Sequence, residues 1–391
     1  MQRSDAALLS EKRVWDPLEE VKNWRGHADT SRTGRVVVHN PESGVWNDTT
    51  RWRLVPEITI GSEEDGPELF ASIADFTVDA TGRMYVLDRR SKHIQVFDPD
   101  KQFVRTIGRQ GSGPGEFQDP IGMTWDPEGH LWVVDPANGR ISVFDTSGAP
   151  LSTRRRSSTS YSVPWNGGFD AEGRFYEVTA RWDQSNVSEV LWYDDSMGIT
   201  NRWRLPRYAP AYYELSSGNS NTRATVPFSP MLRLWFDPRG YLWSGITSDY
   251  RLYRQSFTGD TLRIVEREYQ PQKVSAAQKE EGIRGLEWFV KQGGRIDPSR
   301  IPDIKPTFLA FFVDAAGYVW VQRSNGPTLE QLAIDVFDPD GRYLGEIASS
   351  VNLMLEHPPI VRGDTVYAIV ADSIGTYSLV RARIIRGRPA T

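Results

Sequence analysis

The sequence contains no cysteine among its 391 residues, and this absence removes several kinds of chemistry. Disulfide bonds, thiolate metal centres and cysteine nucleophiles are all excluded. No apolar run approaches the roughly 18 residues that a membrane-spanning helix needs. Residues 1–23 also lack the apolar stretch of a signal peptide, so we expect either a cytoplasmic chain or one whose leader has been removed.

Sequence motifs of common catalytic and nucleotide-binding sites are missing as well. The chain has no P-loop, no Gly-x-Gly-x-x-Gly after a strand and no Gly-x-Ser-x-Gly nucleophile elbow. Its net charge is −5 and its pI is about 5.7, so no overall positive field attracts nucleic acid. We therefore predict no nucleic-acid partner.

A repeated pattern dominates the sequence that is present. Asp79-Ala-Thr-Gly82 is followed by an apolar run ending at Asp88, and the same pattern returns at an offset of 47 residues. The offset relates three pairs without a gap: Asp79 and Asp126, Asp88 and Asp135, and Asp98 and Asp145. An Asp-x-x-Gly turn between two apolar runs predicts a β-hairpin, because Asp caps the turn and Gly adopts its left-handed conformation.

Weaker copies of this pattern continue to the end of the chain. They begin at Asp170, Asp237 and Asp314, and a sixth copy with a shortened turn lies around Asp364. Four short strands in each unit of 40–50 residues are typical of a propeller blade. We therefore predict an all-β fold, a six-bladed β-propeller of four-stranded blades over residues 51–391, preceded by an extension over residues 1–50.

The first strand of the repeat region has no blade before it in the sequence. Residues 57–61 match residues 104–108, which form the last strand of the first complete repeat. The sequence therefore predicts that this N-terminal strand supplies the outer strand of the sixth blade and closes the ring. Closure of this kind removes an exposed sheet edge.

These motifs resemble those of NHL-repeat propellers, in particular a bacterial six-bladed group. The resemblance covers roughly residues 51–391 and rests on the Asp-x-x-Gly turns and the Ile-x-Val-Phe-Asp strands. Members of this group are usually exported, often as lipoproteins. The resemblance therefore implies a periplasmic or otherwise extracytoplasmic location, and the cytoplasm remains the alternative.

One insert interrupts the repeats. Residues 275–293 have apolar side chains at helical spacing, at Ile283, Leu286, Phe289 and Val290. Ser275 is a suitable N-cap and Gly293 a suitable stop. The spacing predicts one amphipathic helix.

The central channel is the usual ligand site of a propeller, and the inner strand of each blade lines it. One equivalent position per blade gives Asp75, Gly122, Asn166, Arg233, Ala310 and His357. A solvated channel explains the four polar residues most simply, and the alternative is a pocket for a small polar or anionic ligand formed by Asp75, Asn166, Arg233 and His357. The cation Arg233 disfavours a divalent ion there. We predict no metal, no cofactor and no catalytic residue.

Aromatic and basic residues outside this ring are candidates for contact with a protein partner, since Trp and Arg are favoured at interfaces. The candidates are Trp15, Trp24, Trp46 and Trp288, with Arg154, Arg155 and Arg156 as a basic loop tip. The leading hypothesis is a non-catalytic interaction or scaffold propeller, an extrinsic subunit of a larger bacterial assembly that could be membrane-bound. The alternatives are a lactonase-like or lyase propeller enzyme with a channel site, and a small-ligand sensor or carrier.

Overall fold

The computed structural model describes residues 21–61, 66–156, 158, 161, 163, 165–180, 188–206, 208–217, 220–237, 239–324, 332–355, 357–372 and 376–387. Three strands precede the first complete repeat, and they are β1 (His27–Thr30), β2 (Val36–Asn40) and β3 (Arg53–Ile60). Trp15 lies outside the described residues, so its predicted role stays a prediction.

Blades one to three are antiparallel sheets that run from an inner to an outer strand. Blade one contains β4 (Ile73–Val78), β5 (Met84–Asp88), β6 (His93–Phe97) and β7 (Phe103–Ile107). Blade two contains β8 (Gly122–Trp125), β9 (Leu131–Asp135), β10 (Arg140–Phe144) and β11 (Pro150–Arg155), with a 3-10 turn at Pro136–Asn138. Blade three contains β12 (Gly167–Phe169), β13 (Phe175–Ala180), β14 (Ser188–Tyr193) and β15 (Ile199–Arg204).

Blades four to six follow after a hairpin of β16 (Tyr212–Ser217) and β17 (Ser220–Thr225). Blade four contains β18 (Leu232–Asp237), β19 (Tyr241–Ile246), β20 (Arg251–Gln255) and β21 (Thr261–Arg267). Blade five contains β22 (Ala310–Val313), β23 (Val319–Ser324), β24 (Leu332–Phe337) and β25 (Tyr343–Ser349). Blade six contains β26 (Ile360–Arg362), β27 (Thr365–Ala371) and β28 (Tyr377–Ile385), and β3 completes it.

The pairing of β3 with β28 confirms the predicted closure. The two strands run antiparallel, with Ile60 opposite Leu379 and Arg53 opposite Ile385. The outermost strand of blade six therefore comes from the beginning of the repeat region. The N- and C-terminal parts of the ring are held together by backbone hydrogen bonds.

The repeated turns have the geometry that their sequence predicts. In the first, Asp79 Oδ1 accepts hydrogen bonds from the amides of Thr81 at 2.8 Å and Arg83 at 3.0 Å. Gly82 has a φ of +86°, which a residue with a Cβ adopts only at a cost. Asp126 and Gly129 repeat the arrangement in blade two.

The hydrophobic core consists of separate layers between neighbouring blades. Tyr85 and Leu87 of blade one pack with Met123 and Leu131 of blade two in one of these layers. Each of the other five neighbouring pairs, including blades six and one, has its own buried cluster. Because every blade contacts two neighbours in this way, the ring is closed by packing as well as by hydrogen bonding.

The N-terminal extension is attached to the propeller. Strand β2 pairs with β1 on one side and runs parallel to β21 on the other, which widens blade four to six strands. The Asn40 side chain is buried and donates to the carbonyls of Glu266 at 3.0 Å and Gly341 at 2.9 Å, and it accepts from the Tyr343 amide at 2.7 Å. One amide side chain thereby joins the extension to blades four and five.

The insert before blade five contains two helices, Ala276–Arg284 and Glu287–Lys291, and a 3-10 turn at Pro298–Arg300. The sequence had predicted a single helix here. Ser275 is the N-cap and forms a capping box with Gln278, as its position predicted. Phe289 packs with the β16–β17 hairpin in a small separate core. Val290 is exposed, so the prediction that Val290 lies on the apolar, buried face of the helix was wrong. None of the helices in the described part of the chain is long and apolar enough to cross a membrane.

Candidate functional site

The two faces of the ring are built from different kinds of connection. In a four-stranded antiparallel blade, the turns from first to second and from third to fourth strand lie on one face. The loop between the second and third strands and the link to the next blade lie on the opposite face. We call this second face the connection face. Its blade-to-blade links include the described parts of residues 61–72, 108–121, 156–166, 205–231, 268–309 and 350–359.

Asp75 lies on the innermost strand of blade one, and its carboxylate reaches the next blade. Oδ2 accepts a hydrogen bond from the Met123 amide at 2.7 Å, and Oδ1 accepts one from the Phe76 amide at 2.8 Å. Burial raises the pKa of Asp75 to about 7, against the lowering effect of these two hydrogen bonds. The carboxyl group therefore changes its charge near neutral pH.

Arg233 makes an equivalent link between blades four and five. Its Nε donates to the Leu309 carbonyl at 2.6 Å, just before the inner strand of blade five. Two of the four polar positions predicted to line the channel thus bind the backbone of a neighbouring inner strand. Their use as a ligand pocket stays a prediction.

The other two predicted channel residues lie at the entrances to inner strands. Asn166 is exposed and its carbonyl accepts the Val178 amide at 2.8 Å. The amide of His357 donates to the Met354 carbonyl at 3.0 Å, and its ring lies 6.5 Å from that of Tyr377. Both residues are in links of the connection face.

The arginine triplet does not form the predicted basic loop tip. Arg154 and Arg155 belong to β11, the outer strand of blade two. The Arg154 guanidinium lies 4.8 Å from the centre of the Trp132 ring and donates to the Asp195 carbonyl of blade three. The strand pairing continues to Arg155, which lies opposite Arg140, so the first two arginines are in a strand and not in the loop that the sequence suggested.

Arg156 in particular is buried. Its side chain is 3% exposed and that of its ion-pair partner Glu177 is 1% exposed, with 2.8 Å between Nη2 and Oε1. Glu177 also accepts hydrogen bonds from Trp165 Nε1 at 2.9 Å and the Tyr193 hydroxyl at 3.2 Å. Because a buried side chain cannot contact a partner, the prediction for Arg156 was wrong.

The described tryptophans of the extension make contacts within their own chain. Trp24 Nε1 donates to Asn40 Oδ1 at 2.9 Å. Trp46 packs against Trp52, with 5.0 Å between ring centres. Trp288 of the insert differs, since 45% of its surface is exposed.

Exposed apolar side chains are concentrated on the connection face. Among the described residues, twelve large apolar side chains are exposed. Four of them lie on outer strands, and they are Val55, Phe103, Leu151 and Ile199. Six of the other eight lie on links of the connection face, and they are Leu69, Tyr161, Val163, Trp288, Val290 and Ile304. The last two, Ile246 and Tyr377, are the end residues of β19 and β28 that border this face.

A group of metal-ligating side chains was missed by the sequence analysis. His27, Asp29 and His39 of the N-terminal hairpin have ligand atoms within 4.8 Å of one another. His27 and His39 line a cleft of about 530 Å³ beside blade four. The only sequence signal was the His-x-Asp spacing, which places both side chains on one side of a strand.

Comparisons with known proteins support the fold. A family model described as a six-bladed β-propeller matches residues 79–164. A candidate exported protein from Bacteroides fragilis NCTC 9343 aligns with a TM-score of 0.54 and 12% identity, over 90% of this chain and 100% of that one. Virginiamycin B lyase from Staphylococcus aureus aligns with a TM-score of 0.45 and 10% identity, over 85% of this chain and 100% of that one.

Among curated proteins, none matches the sequence. At 12% identity, the likeness to the Bacteroides fragilis protein supports the fold and leaves the function open. The closed ring, its six packed layers and the family match together define the chain as a six-bladed β-propeller.

Proposed function

We propose that this propeller is a non-catalytic interaction module whose connection face binds a protein partner. The observation that supports it is the placement of eight of the twelve exposed large apolar side chains on that face or at its border. Exposed apolar surface of this kind is typical of protein interaction sites, and aromatic residues are enriched among those that contribute most to binding. The role of extrinsic subunit in a bacterial assembly outside the cytoplasm belongs to the same proposal.

The insert is the best placed element for this contact. Its short helix holds Phe289 in a buried core and leaves Trp288 and Val290, the residues on either side, in solvent. The helix is anchored, so Trp288 can be presented to a partner without much loss of backbone freedom. A protein with an apolar pocket for an indole ring fits this surface.

Affinity purification of the tagged full-length protein from its native source tests the proposal. We expect a protein to co-elute at constant stoichiometry with the wild type and to be lost from a Trp288→Ser, Val290→Ser variant. The matched control is Phe103→Ser, Leu151→Ser, which removes exposed apolar side chains from outer strands instead. A protein that elutes alone, or equal partner loss in both variants, would overturn the proposal.

A second candidate is a carrier of a small anion or polar ligand in the channel. It is favoured by the presence of one carboxylate, Asp75, and one guanidinium, Arg233, on inner strands. A thermal-shift screen with carboxylates and sugars should raise the melting temperature of the wild type, and Arg233→Ala should lose the shift. An equal shift in the variant would rule out Arg233 as a contact.

A further inference from the structure

Four side chains form a row across four neighbouring strands of blade four. His27 of β1 lies opposite His39 of β2, His39 lies opposite Glu266 of β21, and Glu266 lies opposite Arg251 of β20. Residues in register on neighbouring strands point to the same side of a sheet. Asp29 follows His27 by two residues and therefore shares that side.

The side chains in this row are in contact. The imidazole rings of His27 and His39 stack with 4.5 Å between their centres. His39 Nδ1 lies 2.5 Å from Glu266 Oε1, and His39 Nε2 lies 3.4 Å from Asp29 Oδ2. His27 Nε2 is 3.8 Å from the same Asp29 oxygen.

We propose that His27, Asp29 and His39 bind a late first-row divalent transition metal, with Zn²⁺ as the reference ion. Two imidazoles and one carboxylate suit Zn²⁺ and its neighbours, while Ca²⁺ and Mg²⁺ prefer sets made of oxygen alone. The proposal concerns a hairpin outside the channel and is independent of the partner-binding proposal.

The separations of the two histidine nitrogens from the Asp29 oxygen are close to those around a tetrahedral ion. Metal–ligand bonds of about 2.0–2.1 Å at tetrahedral angles place neighbouring ligand atoms about 3.3 Å apart. The separation of 3.4 Å between His39 and Asp29 meets this requirement. The separation of 3.8 Å for His27 needs a shift of about half an ångström, which its 69% exposed side chain can make by rotation.

Glu266 is placed to orient the His39 ring, as a carboxylate next to a metal-binding histidine commonly does. A metal-binding histidine usually donates its second ring N–H to a carboxylate, which fixes the tautomer and directs the other nitrogen to the metal. Glu266 Oε1 lies 2.5 Å from His39 Nδ1, where it can accept that N–H, and Nε2 lies on the side of Asp29 and His27. Arg251 holds the other Glu266 oxygen, with Nε at 2.7 Å from Oε2, so the carboxylate is fixed on both sides.

The site also has room for further ligands. Three protein ligands leave at least one tetrahedral position for water or another donor. His27 and His39 line the open cleft of about 530 Å³, together with Arg25, Tyr250 and Arg267. The arginines there favour an anionic group at the open position.

Zn²⁺ titration of the metal-free full-length protein by calorimetry tests this proposal. We expect one ion per chain, with affinity at least tenfold weaker in His27→Asn and in His39→Asn, each of which loses a ligand nitrogen. Asn at position 39 keeps a donor for Glu266, so the support is retained while the ligand is removed. Glu266→Gln should weaken binding by about 10-fold to 100-fold through the outer contact alone.

The control is His130→Asn. His130 lies beside Asp126 and Glu128 in a second group with metal-binding side chains, but Asp126 Oδ2 already accepts from Trp132 Nε1 at 2.9 Å and contacts His130 Nδ1 at 2.9 Å. We expect unchanged Zn²⁺ affinity in this variant.

Melting curves without metal check that each variant is folded, and visible absorption of the Co²⁺ form reports the coordination directly. Absence of stoichiometric binding to the wild type, or full affinity in His39→Asn, overturns the proposal.

Discussion

Arg156 Nε donates to Glu177 Oε1 at 2.8 Å, and this buried ion pair joins the end of blade two to the second strand of blade three. Both side chains are almost fully enclosed. Breaking such a pair by removing one partner leaves an uncompensated charge in the interior. The pair therefore contributes to stability at the boundary between two blades.

We expect Arg156→Ala to lower the free energy of unfolding by about 3–5 kcal/mol, because Glu177 stays buried without its cation. Urea denaturation measured by tryptophan fluorescence gives this difference. Arg155→Ala is the control, since Arg155 is exposed on the outer strand and its loss should change stability by less than about 0.5 kcal/mol. Equal effects of the two substitutions would contradict the assigned burial.

Asp75 makes stability depend on pH in a defined direction. Its pKa rises from 3.8 to about 7 in the folded protein, so the native state binds this proton more tightly than the unfolded chain. The stabilisation from protonation is fully present below the unfolded pKa and is lost as the pH rises to about 7.

The test compares urea midpoints of the wild type and Asp75→Asn at pH 5 and pH 8. We expect the wild type to lose more stability over this interval than the variant, whose amide carries no titrating proton. Other titrating groups act on both proteins equally, so the difference between the two pH dependences isolates Asp75. Identical dependences would show that the Asp75 pKa is not raised.

Gly122 occupies one of the predicted channel positions because the neighbouring blade leaves no space for a side chain. A Cβ there would lie 2.4 Å from the Cβ of Trp165, which is a clash with a buried residue. We expect Gly122→Ala to destabilise the protein by about 1–3 kcal/mol through overpacking.

Gly129 provides the comparison for this substitution. A Cβ at Gly129 meets nothing within 4 Å, but the φ of +86° makes any side chain there strained. Gly129→Ala should cost about 1–2 kcal/mol through the backbone alone. A Trp165→Gly second substitution, which removes the clashing Cβ, should reduce the cost of Gly122→Ala and leave that of Gly129→Ala unchanged, as measured in a double-mutant cycle.

Two N-terminal truncations separate the extension from the closing strand. Removal of residues 1–50 leaves β3 in place, so we expect a folded monomer of lower melting temperature, because Trp46 and the Asn40 hydrogen bonds are lost. Removal of residues 1–61 also takes β3 and exposes the edge of β28. Size-exclusion chromatography should then show aggregation. A monomeric second truncation would contradict the closure.

Much of the fold could be predicted because its signals are local. Asp79 and Gly82 define a turn through contacts within five residues, and the same chemistry returns in each repeat. The role of β3 was also predictable, since its sequence matched a strand type whose blade was missing. The break between the two insert helices and the β16–β17 hairpin gave no comparable signal.

The candidate sites depended on which strands meet. Arg156 follows two arginines of an outer strand, and only the packing of blade two on blade three shows that it is buried against Glu177. The repeat register predicted Asp75 and Arg233 as channel positions, but it gave no indication of their hydrogen bonds to the neighbouring blades.

The sequence by itself determined the six repeated units, their turns and the strand that closes the ring, because short-range backbone preferences repeat with the chain. Only the tertiary structure decided which distant side chains come together. His39 and Glu266 are far apart in the chain and meet because β2 pairs in parallel with β21. Backbone hydrogen bonds form with almost any side chains, so the sequence does not indicate that β2 pairs with β21. The pairing depends on the free edge that β21 offers as the outer strand of blade four.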